Sequence, residues 1–93
     1  MPHFALMCTD KPGALPIRVA TRDEHLAYLK GLNLHRYGGP LLDENDQPCG
    51  SLIVIEADDL AAADAFAAGD PYAKAGLFER VEIRGLRLVL DKL

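Results

Sequence analysis

Two runs of this chain are apolar without interruption and carry the strand signal. In His3–Cys8 (HFALMC), Phe4, Leu6 and Cys8 project one way, Ala5 and Met7 the other. In Gly50–Ala57 (GSLIVIEA), Leu52 and Val54 oppose Ile53 and Ile55, three of these four being β-branched. Both predicted strands are therefore apolar on both faces. Between them, Thr21-Arg22-Asp23-Glu24 has the form of a capping box and predicts a helix start. The stripe Leu26, Leu29 and Leu32, with Tyr28 beside it, continues that helix to near Tyr37, where Gly38-Gly39-Pro40 predicts a turn. Thr9 to Pro16 reads as a loop, because Pro12 and Pro16 argue against a helix across it.

Gly39–Leu42 begins a second strand, and the polar stretch Asp43–Pro48 reads as a hairpin loop. Asp58 or Asp59 caps a second helix over Leu60–Ala68, stopped by Gly69. Asp70 then N-caps a short turn with Pro71 at its first position. A last strand runs from Phe78 to Leu90. Its apolar phase changes between Val81/Ile83 and Leu86/Leu88/Leu90, so a bulge is expected at Gly85. The order β-α-β-β-α-β predicts an α+β fold of the ferredoxin-like split βαβ type, an antiparallel sheet with both helices on one face. A sheet that is apolar on its other face needs a cover, and a second copy related by a two-fold axis is the simplest one.

Composition narrows the function classes. Ninety-three residues make a single domain, 1–93, and 49% hydrophobic with 26% charged residues is ordinary for a soluble globular protein. The net charge of −4, without a basic cluster, argues against nucleic acid. No apolar run approaches the roughly 20 residues of a membrane span, and the start Met1-Pro2-His3-Phe4 lacks signal-peptide character, so the cytoplasm is expected. Cys8 in its apolar run reads as a core residue and Cys49 as a turn residue; two cysteines make no disulfide framework.

The candidate chemistry lies in a few polar groups. His25 borders the apolar face of the first helix, and Asp70 sits in the tightly specified stretch Gly69-Asp70-Pro71-Tyr72. In a split βαβ the two helices lie side by side, so an early turn of the first and the turn after the second can share one end of the domain. A carboxylate beside an imidazole fixes its tautomer and strengthens it as a base, the arrangement of general acid/base catalysis. Taken singly, His25 is also a half-buried surface histidine, and Asp70 an ordinary cap. Arg18, Ser51 and Tyr72 are candidate substrate-binding groups; their plain readings are a loop charge, a strand serine and a packing aromatic. His3 and His35 have no partners at metal-ligand spacing, so no metal is expected.

Together these residues resemble the YCII-related family of small bacterial proteins. The resemblance rests on Arg22 and His25-Leu26, Gly39-Pro40, Gly50-Ser51, and above all Asp70-Pro71-Tyr72 followed by Gly76-Leu77-Phe78. It implies a dimeric α/β barrel and a His-Asp dyad that maps onto His25 and Asp70, with no cofactor. One member of that family acts in chlorinated aromatic breakdown, and the fold is similar to that of muconolactone isomerase. The expectation is a cofactor-independent lyase, isomerase or dehydrohalogenase acting on a small cyclic or phenolic ligand. The alternative is a homodimeric module that binds a ligand, or docks beside a larger enzyme, without catalysis. The acidic loop Asp43–Pro48 and the proline-rich segment Lys11–Pro16 depart from simpler members, so no member's substrate carries over.

Overall fold

The computed structural model describes residues 2–91. Its elements are β1 (His3–Asp10), α1 (Leu15–Leu32), β2 (His35–Leu42), β3 (Pro48–Glu56), α2 (Leu60–Gly69), α3 (Pro71–Lys74) and β4 (Phe78–Leu86). The strands form one antiparallel sheet in the order β2-β3-β1-β4, the ferredoxin-like arrangement.

Register follows from the alternation within β1 and β3. Phe4 pairs with Ile55, Leu6 with Ile53 and Cys8 with Ser51. Because opposite residues share a face, all six project to one side of the sheet. There Phe4, Leu6, Ile53 and Ile55 pack with Ala63 and Phe66 of α2, and with Tyr28 and Leu29 of α1. Both long helices therefore cover this side. Small side chains on α2 let it lie close: Ala63 is fully buried against the sheet.

Several boundaries differ from the sequence expectation. The first helix starts six residues earlier, at Leu15, with proline in its first turn. Proline is tolerated there because the first-turn N–H groups have no intrahelical partner. Thr21–Glu24 therefore lies inside the helix and caps nothing. The helix stops at Leu32, where Asn33 takes the left-handed conformation (φ 54°) and its N–H bonds to the Leu29 carbonyl. Gly38-Gly39-Pro40 is not a turn but the middle of edge strand β2, where a proline lacking a donor is acceptable.

Cys49 lies in β3, which begins at Pro48. The last strand ends at Leu86, and pairing is continuous through Phe4–Gly85, so no bulge occurs at Gly85. The apolar phase changes there because the ladder is ending. The shift on that edge lies instead at Thr9/Asp10, opposite Arg80 and Phe78. The second helix agrees with its expected cap: Asp59 accepts from the Ala62 N–H at 2.8 Å.

The opposite sheet face carries Ala5 and Met7 of β1 and Leu52 and Val54 of β3. On β4 it turns charged, with Arg80, Glu82 and Arg84 opposite Thr9, Met7 and Ala5. Among the described residues no helix is long and apolar enough to cross a membrane.

Candidate active site

Only two residues of α1 are buried, and both are polar: Arg18 and His25. They stand seven apart, two helical turns, and so on one face. His25 is in the body of the helix, not at its start, and Arg18 is a helix residue, not a loop one. The chain then meets α1 from behind. Gly69 ends α2, and Asp70, extended at φ −62° and ψ 129°, N-caps α3 by accepting from the Tyr72 N–H at 2.9 Å.

That cap is shared. The Asp70 carboxylate lies 2.8 and 3.0 Å from His25 Nδ1. An ionised carboxylate only accepts, so Nδ1 carries the hydrogen and donates it, leaving Nε2 as the acceptor of the neutral ring. Tyr72 stacks on the imidazole, centroids 4.0 Å apart and planes at 19°. Held by a charge-assisted bond on one edge and a ring on one face, His25 has little rotational freedom.

The closeness of α1 to α2 is what lets Asp70 reach His25. Tyr28 donates to the Phe66 carbonyl at 2.8 Å, and its hydroxyl oxygen sits only 2.5 Å from where a Cβ on Gly69 would be. A side chain at 69 would push the helices apart.

On the other side of Tyr72, the Arg18 guanidinium lies 4.7 Å from the ring centroid. It donates to Asp10 through Nε (2.7 Å) and Nη2 (2.8 Å), and Nη2 also donates to Ser51 Oγ (2.9 Å). Burial works to lower the Arg18 pKa, but the bond and charge of Asp10 outweigh it and raise it, so the cation is locked. Ser51 is the fourth residue of β3. Gly50 before it lets β1 and β3 approach closely: a Cβ there would fall 2.4 Å from the Cys8 carbonyl oxygen. Since Ser51 Oγ accepts from Arg18, its own hydrogen is available to another acceptor.

The structure thus brings together Arg18, His25, Ser51, Asp70 and Tyr72. All five are as buried as the core: Tyr72 at 2% exposure, Ser51 and Asp70 at 3%, Arg18 at 5% and His25 at 7%. Asp10 was missed. It reads as a loop acid in sequence; the signal that points to it is a buried arginine two turns before His25, which needs a carboxylate within reach.

A cavity of about 300 Å³ opens between α1 and the β2/β3 edge of the sheet. Arg18, His25, Ser51 and Tyr72 line it, with Leu15, Leu26, Leu29, Ile53 and Pro40 as apolar wall. Asp70 does not line it, so His25 meets Asp70 with one ring edge and faces the cavity with the rest. Burial pushes the Tyr72 phenol up, opposed by Arg18, so it remains a proton-bearing donor. Cys8 lies nearby but is no nucleophile: burial first, and Asp70 second, push its thiol up to about 12. Among the described residues no three His, Cys, Asp or Glu side chains are grouped to hold a metal ion.

Known proteins share this frame. Residues 2–87 match the YCII-related domain. The protein YciI of Escherichia coli O6:H1 is 34% identical over 97 residues, covering 92% of this chain and 97% of its own. An uncharacterized protein of Haemophilus influenzae is 32% identical over 96 residues, covering 94% and 98%. Among solved structures, 5-chloro-2-hydroxyhydroquinone dehydrochlorinase (TftG) of Burkholderia phenoliruptrix AC1100, in complex with 2,5-dihydroxybenzoquinone, superposes with a TM-score of 0.84 at 31% identity, covering 91% of this chain and 93% of that one. An antibiotic biosynthesis monooxygenase superposes at 0.60 with 18% identity, covering 97% and 100%, a likeness of fold alone. On the match over residues 2–87 and the identity to YciI across nearly the whole length of both chains, this chain belongs to the YCII-related domain family.

Proposed function

We propose that this protein is a small, cofactor-independent enzyme in which His25 and Asp70 perform general acid/base chemistry on a cyclic or phenolic molecule. The observation that carries the reading is the 2.8 Å contact between His25 Nδ1 and a buried carboxylate, with the far side of the ring turned to a cavity. A histidine serving only to pack gains nothing from such an arrangement, since burying a carboxylate is costly.

In the first step His25 Nε2 takes a proton from a C–H or O–H of the bound ring. The bond to hydrogen breaks, its electron pair moves into the ring system, and the Nε2–H bond forms. Asp70 steadies the imidazolium. Charge developing on a ring oxygen is met by the Ser51 hydroxyl, itself polarised by Arg18. The electron pair then expels a leaving group as an anion, or the ring takes the proton back at another atom. The first outcome is a lyase or dehydrohalogenation, the second an isomerisation. The likeness to a dehydrochlorinase at 31% identity supports the first.

The active form, in this reading, is a homodimer. The sheet face away from the helices leaves Ala5, Met7 and Leu52 only half-buried in the single chain, and a two-fold partner would cover it in the manner of a dimeric α/β barrel.

Two measurements test the reading. Ring ¹⁵N shifts of His25 report its tautomer: the Nδ1–H form is expected, reverting to a mixture in Asp70→Asn. Chloride release from 5-chloro-2-hydroxyhydroquinone, and turnover of related phenols, should fall about 10²-fold or more in His25→Gln. An Nε2–H tautomer that Asp70→Asn leaves unmoved overturns the dyad. Multi-angle light scattering of the wild type and Leu52→Glu tests the dimer, which the variant should split.

A further inference from the structure

The charges around the cavity are one-sided. The chain as a whole is acidic, with 14 Asp and Glu against 10 Lys and Arg. Yet the cavity is lined by three cations, Arg18, Arg22 and Lys30, and by no carboxylate. Arg18 is already matched, holding Asp10 in a bidentate pair from behind. Arg22 and Lys30 are different: both are exposed, and neither has an ion-pair partner among the described residues. They stand eight apart with Leu26 midway, so one ridge of α1 carries cation, leucine, cation along the cavity's mouth, about 12 Å end to end.

Hydrogen-bond supply leans the same way. Ser51 has a hydrogen to give, because its oxygen accepts from Arg18. Tyr72 keeps its proton. Arg22 and Lys30 only donate. Within the His25 site the acceptor is the imidazole Nε2. A bound molecule must therefore bring acceptors and negative charge, and one proton to yield.

We propose that the cavity selects a small cyclic organic acid in its anionic form, a single-ring carboxylate or phenolate whose charge lies against Arg22 and Lys30 while the ring rests on Leu26 and the apolar wall of Leu29 and Ile53. This names the substrate class of the site and rests on His25 being the group that the ring faces. Arg22, one turn before His25, holds the charge near the reacting ring. Lys30, further along the ridge, attracts the anion to the mouth and shows its effect mainly in the association rate. A volume of about 300 Å³ is at the small end for ligand sites, which limits the occupant to one ring.

The test compares 2,5-dihydroxybenzoate with hydroquinone, the same ring without the carboxylate, by calorimetry and by amide shifts at millimolar concentration. The anion is expected to bind about tenfold tighter or more, with affinity falling as salt is added. Arg22→Gln should remove about tenfold of that affinity and Lys30→Gln about threefold, with hydroquinone unchanged by either. Equal binding of the two molecules overturns the proposal. So does failure of the anion to shift any cavity amide, or an anion preference that survives both substitutions. The same pair is run on His25→Gln. A preference retained there shows charge recognition standing apart from proton transfer, so it holds even if the dyad reading falls. A preference lost there makes His25 the anion's partner and overturns the assignment to Arg22 and Lys30.

Discussion

The two ends of the β1/β3 pair show what this fold spends on stability and what it spends on a site. At one end Phe4, Leu6, Ile53 and Ile55 face the helices, and α2 brings Ala63 and Phe66 down on them. At the other end the same face of the same strands carries Cys8, Ser51 and, past the register shift, Asp10, and α1 brings Arg18 and His25. The side chains at the two ends are about equally buried, although the polar end also borders the cavity. The apolar end gains free energy with each area buried. The polar end must first recover the loss of hydration of a guanidinium and two carboxylates, which pairing at best offsets. The space under Arg18 and His25 is thus built from groups that a merely stable protein would replace.

The sharpest way to test that contrast is to weaken each end in turn. Leu6→Ala, at the apolar end, should cost about 3–4 kcal/mol in urea unfolding, through lost transfer energy plus a cavity that β1 cannot close. The ligand-dependent amide shifts of the site should persist in whatever fraction remains folded. Asp10→Ala, at the polar end, should cost nearly as much, about 3 kcal/mol, because it leaves the locked Arg18 cation buried without its partner. The ends part company in the paired replacement. Arg18→Met combined with Asp10→Leu should be neutral or stabilising by about 1–4 kcal/mol, whereas no replacement at Leu6 gains. It should also loosen Tyr72 and Ser51 and reduce binding. A double variant as unstable as Asp10→Ala would show that the polar end is structural, and the contrast would collapse.

A smaller effect is expected where the two ends are joined. Gly69→Ala places a Cβ against the Tyr28 hydroxyl. Losing the Tyr28–Phe66 hydrogen bond should cost about 1–2 kcal/mol. Because Asp70 follows directly, the His25 ring signals should move as well. A Gly69→Ala protein with wild-type stability and unmoved His25 resonances would show that the helix spacing does not set the contact.

The difference in legibility follows the same division. The apolar end is written as local alternation, so β1, β3 and their facing were readable from HFALMC and LIVI. Caps that act locally were readable too: Asp59 before α2, and Asp70 before Pro71. The features that local pattern does not carry are set by non-local contacts. Pro12 and Pro16 look like breakers, and only the packing of Arg18 shows that a helix is already running at Leu15. Thr21–Glu24 has a capping pattern inside a helix, where a sequence gives no sign that the cap is unused. Asp10 gains its meaning from Arg18 eight residues on and Ser51 across the sheet, neither marked by any repeat. Gly38-Gly39-Pro40 reads as a turn because no local signal distinguishes an edge strand that need not donate.

The residue at the boundary provides the finest test. Cys8 lies between Leu6 and Asp10 on β1, with Ser51 opposite. Burial, then Asp70, push its thiol from an ordinary 9.0 to about 12, against the pull of Arg18. The net direction says that it behaves as part of the apolar end despite its charged neighbours. Because the folded value is the higher one, the native state keeps the proton that the unfolded chain gives up. Stability is therefore intact below about pH 9 and declines from there towards pH 12, and Cys8→Ala should flatten that alkaline decline without changing stability at neutral pH by more than a small cavity. At pH 8 the folded thiol has about 10³-fold less thiolate than a free one. Iodoacetamide should then modify exposed Cys49 alone in the native protein and both residues in urea, as peptide mass spectrometry would show. Native-state labelling of Cys8 at a rate near that of Cys49 would mean that Arg18 outweighs burial there, and that the polar end begins one residue pair earlier than the packing suggests.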